Sequence, residues 1–199
     1  FSGVDRTSDA NQLSISLSSN FYDLENFRNI FNISIGKIVY FEDREISIDN
    51  NTTYTRTNSN LIAEMEYKPT ENISLISTFL YDTHTDDRKT QFNNHTFQYR
   101  GNNNNIFNAS YRYSKNDVAQ GDMSFAWGIK DNLKVLGRWA YDFKNNSSNN
   151  SSGDDIETLA GLEYESCCWK ARLIQRRYKI DAEEYEKEIQ FQIMLKGFT

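Results

Sequence analysis

Hydrophobic and polar residues alternate along most of this chain. Leu13, Ile15 and Leu17 are separated by Ser14 and Ser16. Phe31, Ile33 and Ile35 are separated by Asn32 and Ser34. Met123, Phe125, Trp127 and Ile129 alternate with Ser124, Ala126 and Gly128, and Ile189, Phe191, Ile193 and Leu195 with Gln190, Gln192 and the polar end at Lys196. A period of two puts one class of side chain on each face of a strand. The pattern predicts eleven strands, over 11–22, 28–41, 59–68, 73–82, 89–100, 104–114, 119–130, 133–144, 155–166, 169–179 and 185–196. No convincing helix appears. The acidic run Asp181-Ala182-Glu183-Glu184 is short, and alternation resumes at Tyr185.

These strands are long. Globular strands usually run ~5–6 residues, whereas a tilted bilayer crossing takes ~9–11. The connections alternate too. Asp23 to Asn26, Pro69 to Asn72, Gly101 to Asn103, Asp131-Asn132 and Cys167-Cys168 are tight, while Glu42 to Asn58 and Asn145 to Asp154 are long and polar. The other three are intermediate. Sequential antiparallel strands put alternate connections at opposite ends, and outer-membrane barrels have short periplasmic turns and longer external loops. The fold class predicted is all-β: an antiparallel up-and-down transmembrane β-barrel, present as a partial barrel of about eleven strands. Eleven is not the even number of a complete bacterial barrel, so an open, curved sheet with two unpaired edges is expected. Phe31, Ile33, Ile35, Phe125, Trp127, Phe191 and Ile193 should share its outer face.

Aromatic residues collect near strand ends, among them Tyr22, Tyr40, Phe41, Tyr67, Tyr81, Tyr141, Phe143, Tyr164, Trp169 and Tyr178. They serve either an interfacial girdle or ordinary cross-strand pairing, and the sorted loops favour the girdle. Glu64, Glu66, Lys170, Arg172 and Arg176 then face a watery lumen, because each would cost a few kcal/mol facing lipid.

Composition agrees. The 199 residues are 38% hydrophobic with a mean hydropathy of −0.74, yet 14% aromatic with one proline. A disordered polar chain is poor in aromatics and rich in proline. No apolar run approaches the ~18 residues of a membrane helix. The net charge of −6 without a basic stripe argues against a nucleic-acid partner. Phe1 opens the chain with no Met and no signal-peptide pattern, so a piece of a longer protein is expected. Sequons such as Asn108-Ala109-Ser110 arise readily in an Asn-rich chain and are read as unused.

Catalytic signatures are absent: no phosphate loop, no nucleophile elbow and no paired-His metal motif. Neither enzyme activity nor a cofactor is expected. His84 lies in the oxygen-rich stretch Asp82-Thr83-His84-Thr85-Asp86-Asp87, which reads as a solvated loop before it reads as a cation site. His95 stands alone on a strand. Glu163 and Glu165 share a strand face and read as solvated carboxylates. The informative chemistry is Cys167-Cys168. Neighbouring Cα atoms lie ~3.8 Å apart, short of the ~5.5–6 Å a disulfide prefers, so the two are not expected to bond each other. No second ligand pair makes them a zinc site. Two free thiols is one reading. In a periplasmic turn, an oxidising setting, partners in another segment or chain is the other.

Gly161-Leu162-Glu163-Tyr164-Glu165-Ser166-Cys167-Cys168-Trp169, followed by Arg172, Arg176 and Tyr178, resembles the C-terminal signature of the outer-membrane lipopolysaccharide-assembly (LptD) family. Phe1-Ser2-Gly3-Val4-Asp5-Arg6, Asp9 to Leu13, and Ser34 to Arg44 resemble that family's mid-barrel motifs, in its order and spacing. The resemblance covers essentially the whole chain. It implies that residues 1–199 are the C-terminal part of an outer-membrane β-barrel domain, with the N-terminal periplasmic jelly roll and early strands absent. It implies disulfides from Cys167 and Cys168 to cysteines outside this chain. It implies lipopolysaccharide transport in the cell outer membrane, with a plug lipoprotein (LptE), a periplasmic bridge protein (LptA) and the barrel-assembly machinery as partners. The eleventh strand would border the lateral gate, with Ile189, Phe191, Ile193 and Leu195 toward lipid and Gln190 and Gln192 toward the lumen. It should pair fully with the tenth strand and leave its other edge free. Another outer-membrane barrel, a porin or adhesin, is the alternative, and a soluble all-β binding module such as a lectin a further one. The adjacent cysteines weigh against a porin.

Overall fold

The computed structural model describes residues 11–42, 58–83, 90–115, 118–144, 153–181 and 184–197. They form eleven strands: β1 (Gln12–Tyr22), β2 (Asn29–Tyr40), β3 (Leu61–Thr70), β4 (Ile73–Tyr81), β5 (Thr90–Arg100), β6 (Ile106–Ser114), β7 (Val118–Lys130), β8 (Leu133–Asp142), β9 (Asp154–Glu165), β10 (Trp169–Lys179) and β11 (Tyr185–Leu195). All belong to one sheet in the order β1 to β11. Every neighbouring pair is antiparallel. The sheet does not close: β1 and β11 each have one unpaired edge among the described residues.

Each strand lies within two residues of its expected position, and the differences have local causes. β3 runs on to Thr70 and takes in Pro69, so the turn is Glu71-Asn72 alone. Proline donates no hydrogen bond and is tolerated in a strand at a bulge. The β3–β4 register shifts between Tyr67 and Thr70. Arg28 holds the freed backbone, donating to the carbonyls of Lys68 and Pro69 at 3.2 and 3.1 Å. β6 starts two residues late because Asn102–Asn104 form one 3-10 turn, closed where the Gly101 N–H donates to the Asn105 carbonyl at 2.8 Å. The His84 stretch and both long loops fall wholly or largely outside the described residues, as do Ala182 and Glu183.

Residues paired directly across an antiparallel ladder point to the same face. One face therefore carries Phe21, Phe31, Tyr67, Leu75, Phe97, Ala109, Met123 and Trp139 in one row. A second row is Trp127, Val135, Leu162, Leu173 and Phe191, and a third Leu133, Tyr164, Ala171 and Ile193. All seven residues expected to share a face do so. Gly137 sits in this face because the Phe125 ring lies over it, where any Cβ would collide. The opposite face carries Ser110, Asp122, Ala140 and Glu157, then Lys134, Glu163, Arg172 and Gln192.

Burial is inverted relative to a water-soluble domain. Leu17 and Ile189 are each 75% exposed and Phe191 66%, while Glu163 is 3% and Glu157 8% exposed. Among the described residues the only buried apolar side chains are Ala140 and Ile174. Curvature explains the asymmetry, since side chains converge on a concave face and splay on a convex one. The convex face is the apolar one. Apolar area left in water forgoes about 25 cal/mol per Å², so this face needs an apolar cover.

Candidate functional site

The candidate site is built on β9, β10, β11 and the turn between the first two. Backbone bonds shape that turn. The Ser166 N–H donates to the Trp169 carbonyl at 2.9 Å, closing the hairpin. The Lys196 N–H donates to the Cys168 carbonyl at 2.8 Å, and Lys196 Nζ to the Ser166 carbonyl at 2.8 Å. The same ammonium lies 2.6 Å from Glu165. The end of β11 is thus pinned to the cysteine turn. Tyr164 and Trp169 pack on the outer side with ring centroids 5.2 Å apart.

Cys167 and Cys168 occupy this turn as exposed free thiols, not bonded to each other, with Sγ atoms 2.7 Å apart. When one sulfur ionises the other donates to it. That contact pulls Cys167 below the ordinary thiol range and pushes Cys168 above it, so the pair titrates as a unit. The turn shares its end of the sheet with the other short connections.

β11 pairs along its whole length, from Tyr185 opposite Lys179 to Leu195 opposite Trp169, and its second edge is open among the described residues. Ile189, Phe191, Ile193 and Leu195 point to the outer face. Gln190 and Gln192 point inward, opposite Ile174 and Arg172.

A charge ladder on the inner face crosses these strands. Glu163 pairs with Arg172 and, at 3.2 Å, with Lys170, which reaches Glu165 at 3.3 Å. Glu157 pairs with Arg176 and, at 2.9 Å, with Arg138, and Arg138 with Asp122 at 2.8 Å. Arg176 reaches on to Glu188 of β11 at 3.3 Å, and Gln190 donates to the same carboxylate at 2.8 Å. Glu163 is therefore not the solvated carboxylate expected from sequence. It is buried because the cysteine turn sets a register placing Arg172 directly opposite. Glu157, Arg138 and Glu188 were not singled out in the sequence at all. His95 also has partners: its Nδ1 lies 3.0 Å from Ser77 Oγ, and its ring packs edge-on to Phe79. No cluster of metal-ligating side chains occurs among the described residues.

A family model described as LPS transport system D matches residues 1–141, through most of β8. Curated relatives extend the match across the cysteine turn. The LPS-assembly protein LptD of Marinobacter nauticus is 33% identical over 201 residues, covering 99% of this chain and 24% of that protein. The corresponding proteins of Nitrosococcus oceani and Shewanella frigidimarina are 31% and 32% identical, again over 99% of this chain, and 26% and 27% of their own lengths. The chain spans about a quarter of the length of these relatives. On the strength of the matched family model and the relatives' coverage, this chain belongs to the LPS transport system D (LptD) family.

Proposed function

We propose that this chain forms the C-terminal wall of an outer-membrane barrel that delivers lipopolysaccharide to the outer leaflet. The observation that carries the reading is the inverted sheet: an exposed apolar outer face and a buried charged inner face, on strands of 9–13 residues. Such a sheet is satisfied by lipid outside and water inside. The relatives' name, LPS-assembly protein, supplies the cargo. In this reading the cysteine turn faces the periplasm. Cys167 and Cys168 pair there with cysteines elsewhere in the protein and hold its periplasmic domain under the barrel. A plug lipoprotein fills the lumen, a periplasmic bridge protein hands over the lipid, and the barrel-assembly machinery inserts the whole.

The lipid leaves through the seam beside β11. Opening a seam breaks backbone hydrogen bonds, each about 0.5–1.5 kcal/mol in water and more where water is scarce. The β10–β11 seam carries Arg176–Glu188 in addition to its full ladder, so the seam on β11's other side opens first. In the full-length protein, a cross-link from the free edge of β11 to the first barrel strand should block lipopolysaccharide export. A cross-link at the Leu173–Phe191 pair, between β10 and β11, should leave export intact. Equal toxicity of the two, or of neither, would place the exit elsewhere.

A further inference from the structure

On the outer face, Arg177 of β10 stands directly opposite Lys187 of β11. Like charges directly opposed across an antiparallel ladder repel, and here both look outward. The surrounding charges offset them only in part. Asp155 approaches Arg177 at 3.9 Å, and its Oδ1 also accepts from Trp139 Nε1 at 2.8 Å. Asp154 is taken by Lys179 and by the Tyr185 hydroxyl. The Arg177 guanidinium lies 3.9 Å over the Tyr185 ring. Among the described residues no carboxylate pairs with Lys187, which is exposed.

The two cations border a groove of about 410 Å³ lined by Thr158, Leu159, Ala160 and Gln175 as well. Small side chains open it. Below lie Ile189, opposite Gln175, and then the apolar rows Leu173–Phe191, Ala171–Ile193 and Trp169–Leu195. Those rows are short. Ile189 to Leu195 spans about 20 Å of strand at ~3.3 Å per residue. At a tilt near 40° that rises ~15 Å, against ~25 Å for an ordinary apolar band. The cations therefore stand directly above a shortened apolar band, about 10 Å short of the ordinary height, on the border of the free edge.

We propose that the Arg177–Lys187 groove is a seat for the phosphorylated saccharide head of lipopolysaccharide, its acyl chains lying over Leu173, Ile189 and Phe191. The inference rests on the outer-membrane reading above and adds a binding site on the lipid-facing side. Two cations side by side suit a head with several phosphates better than the single charge of a phospholipid.

The test uses the full-length protein with its plug, reconstituted in vesicles, and a photoreactive residue at Gln175 or, separately, at Thr158. With bis-phosphorylated lipid A as probe, the cross-link yield should fall at least tenfold in R177Q/K187Q and persist in K187R. Dephosphorylated lipid A should give a yield as low as the double variant. A photoreactive residue at Leu17 on β1 should report no change, and unchanged heat-modifiability on electrophoresis checks the fold of each variant. An unchanged yield in the double variant overturns the seat. So does an equal yield from phosphatidylglycerol vesicles, which would make the patch an ordinary contact with anionic lipid. The cross-link yield needs no export. A seat that binds while the β11 edge cross-link leaves export intact would sink the translocation route alone.

Discussion

The two margins of this sheet are stitched differently. β1 and β2 pair from Gln12 to Tyr22 with one bulge, and β10 and β11 pair along the whole of β11. The backbone ladders are equivalent, so the difference lies in the inner-face side chains. At the first margin they are Ser14, Ser16, Ser18 and Asn20 against Ile38, Gly36, Ser34 and Asn32. Their side-chain bonds are neutral: Ser18 to Ser34 at 2.9 Å, and Asn32 to Asn20. No ion pair joins β1 to β2 among the described residues. At the second margin the inner face carries the Glu157 and Glu163 clusters, extended to β11 through Glu188 and pinned at the turn by Lys196. Strand pairing is generic, and charge decides which seam holds. Exposed ion pairs contribute little, about 0–1 kcal/mol. Here the carboxylates at the centres are buried, so losing one leaves cations without their counter-charge.

The largest effect is expected at the cysteine turn. In the proposed assembly, replacing Cys167 and Cys168 together by Ser in the full-length protein would remove two links to cysteines outside this chain. A disulfide contributes about 2–4 kcal/mol, and under the proposal these would also orient a domain. Mature, export-competent barrel should drop several-fold, read as the oxidised folded band on non-reducing electrophoresis. The tight turn at the first margin offers the contrast. Asp23→Asn weakens an Oδ1 contact to the Glu25 N–H, 3.0 Å long and exposed, and should leave assembly unchanged. Equal losses from both would erase the distinction between the margins.

Next is the ladder itself. Glu163→Gln keeps the shape and removes the charge facing Arg172 and Lys170, whose side chains are 35% and 21% exposed. Breaking a fully buried pair costs about 3–5 kcal/mol. Partial solvation of these two cations lowers that to about 2 kcal/mol. The folded form should be lost at a lower temperature on electrophoresis, and a Glu163→Arg, Arg172→Glu exchange should recover part of the loss. An exchange as damaging as the single variants would show that position, not pairing, is what matters.

This contrast also marks what the sequence makes legible. Alternation located all eleven strands, because a half-buried strand writes its two faces into every second residue. It also put Phe191 and Ile193 on the same face as Phe31, nine strands away. Glu163 was misread for a physical reason: a carboxylate on a polar face looks solvated until the turn register brings Arg172 opposite. The separate β10–β11 register hides the Arg177–Lys187 opposition in the same way, since no local pattern shows which residues of the two strands meet. The sequence places Pro69 in the turn rather than in β3, because its tolerance in the strand depends on a bulge and on Arg28, neither readable next to it.

The thiols give a smaller, kinetic effect. In the reduced protein Cys167 ionises below the ordinary thiol range because Cys168 donates to it. Below that range, alkylation follows the thiolate fraction. Cys168→Ala removes the donor, the Cys167 pKa rises, and alkylation at neutral pH slows. Nucleophilicity falls as pKa falls, with a Brønsted slope of about 0.4–0.5, so only about half of the pKa change survives in the rate. A slowing of a few-fold at neutral pH, turning into a modest acceleration above pH ~10 where both forms are ionised and the higher-pKa thiolate is the better nucleophile, is the expected signature. A faster rate in the variant at neutral pH would reverse the assigned order of ionisation.

The smallest effect sharpens the comparison most. Ser18→Ala removes the hydroxyl contact to Ser34 at the first margin. Both residues lie on the inner face, and the contact is exposed, so water replaces the lost partner and no buried group is left unsatisfied. A neutral hydrogen bond is worth about 1 kcal/mol net, and less where water competes. The expected change is within about 0.5 kcal/mol, close to the detection limit of thermal unfolding on electrophoresis. The backbone ladder at Ser18–Ser34 is as complete as at Arg172–Gln192. If strand pairing alone set the strength of a margin, Ser18→Ala and Glu163→Gln would differ only by their local bonds and neither would alter which seam yields first. If the charge ladder sets it, Ser18→Ala leaves the order of opening untouched, whereas Glu163→Gln loosens β10 against β9 and brings that seam closer to the free edge. Hydrogen exchange of the β10 amides in the two variants separates these outcomes: faster exchange in Glu163→Gln alone supports the ladder, and equal exchange in both refutes it.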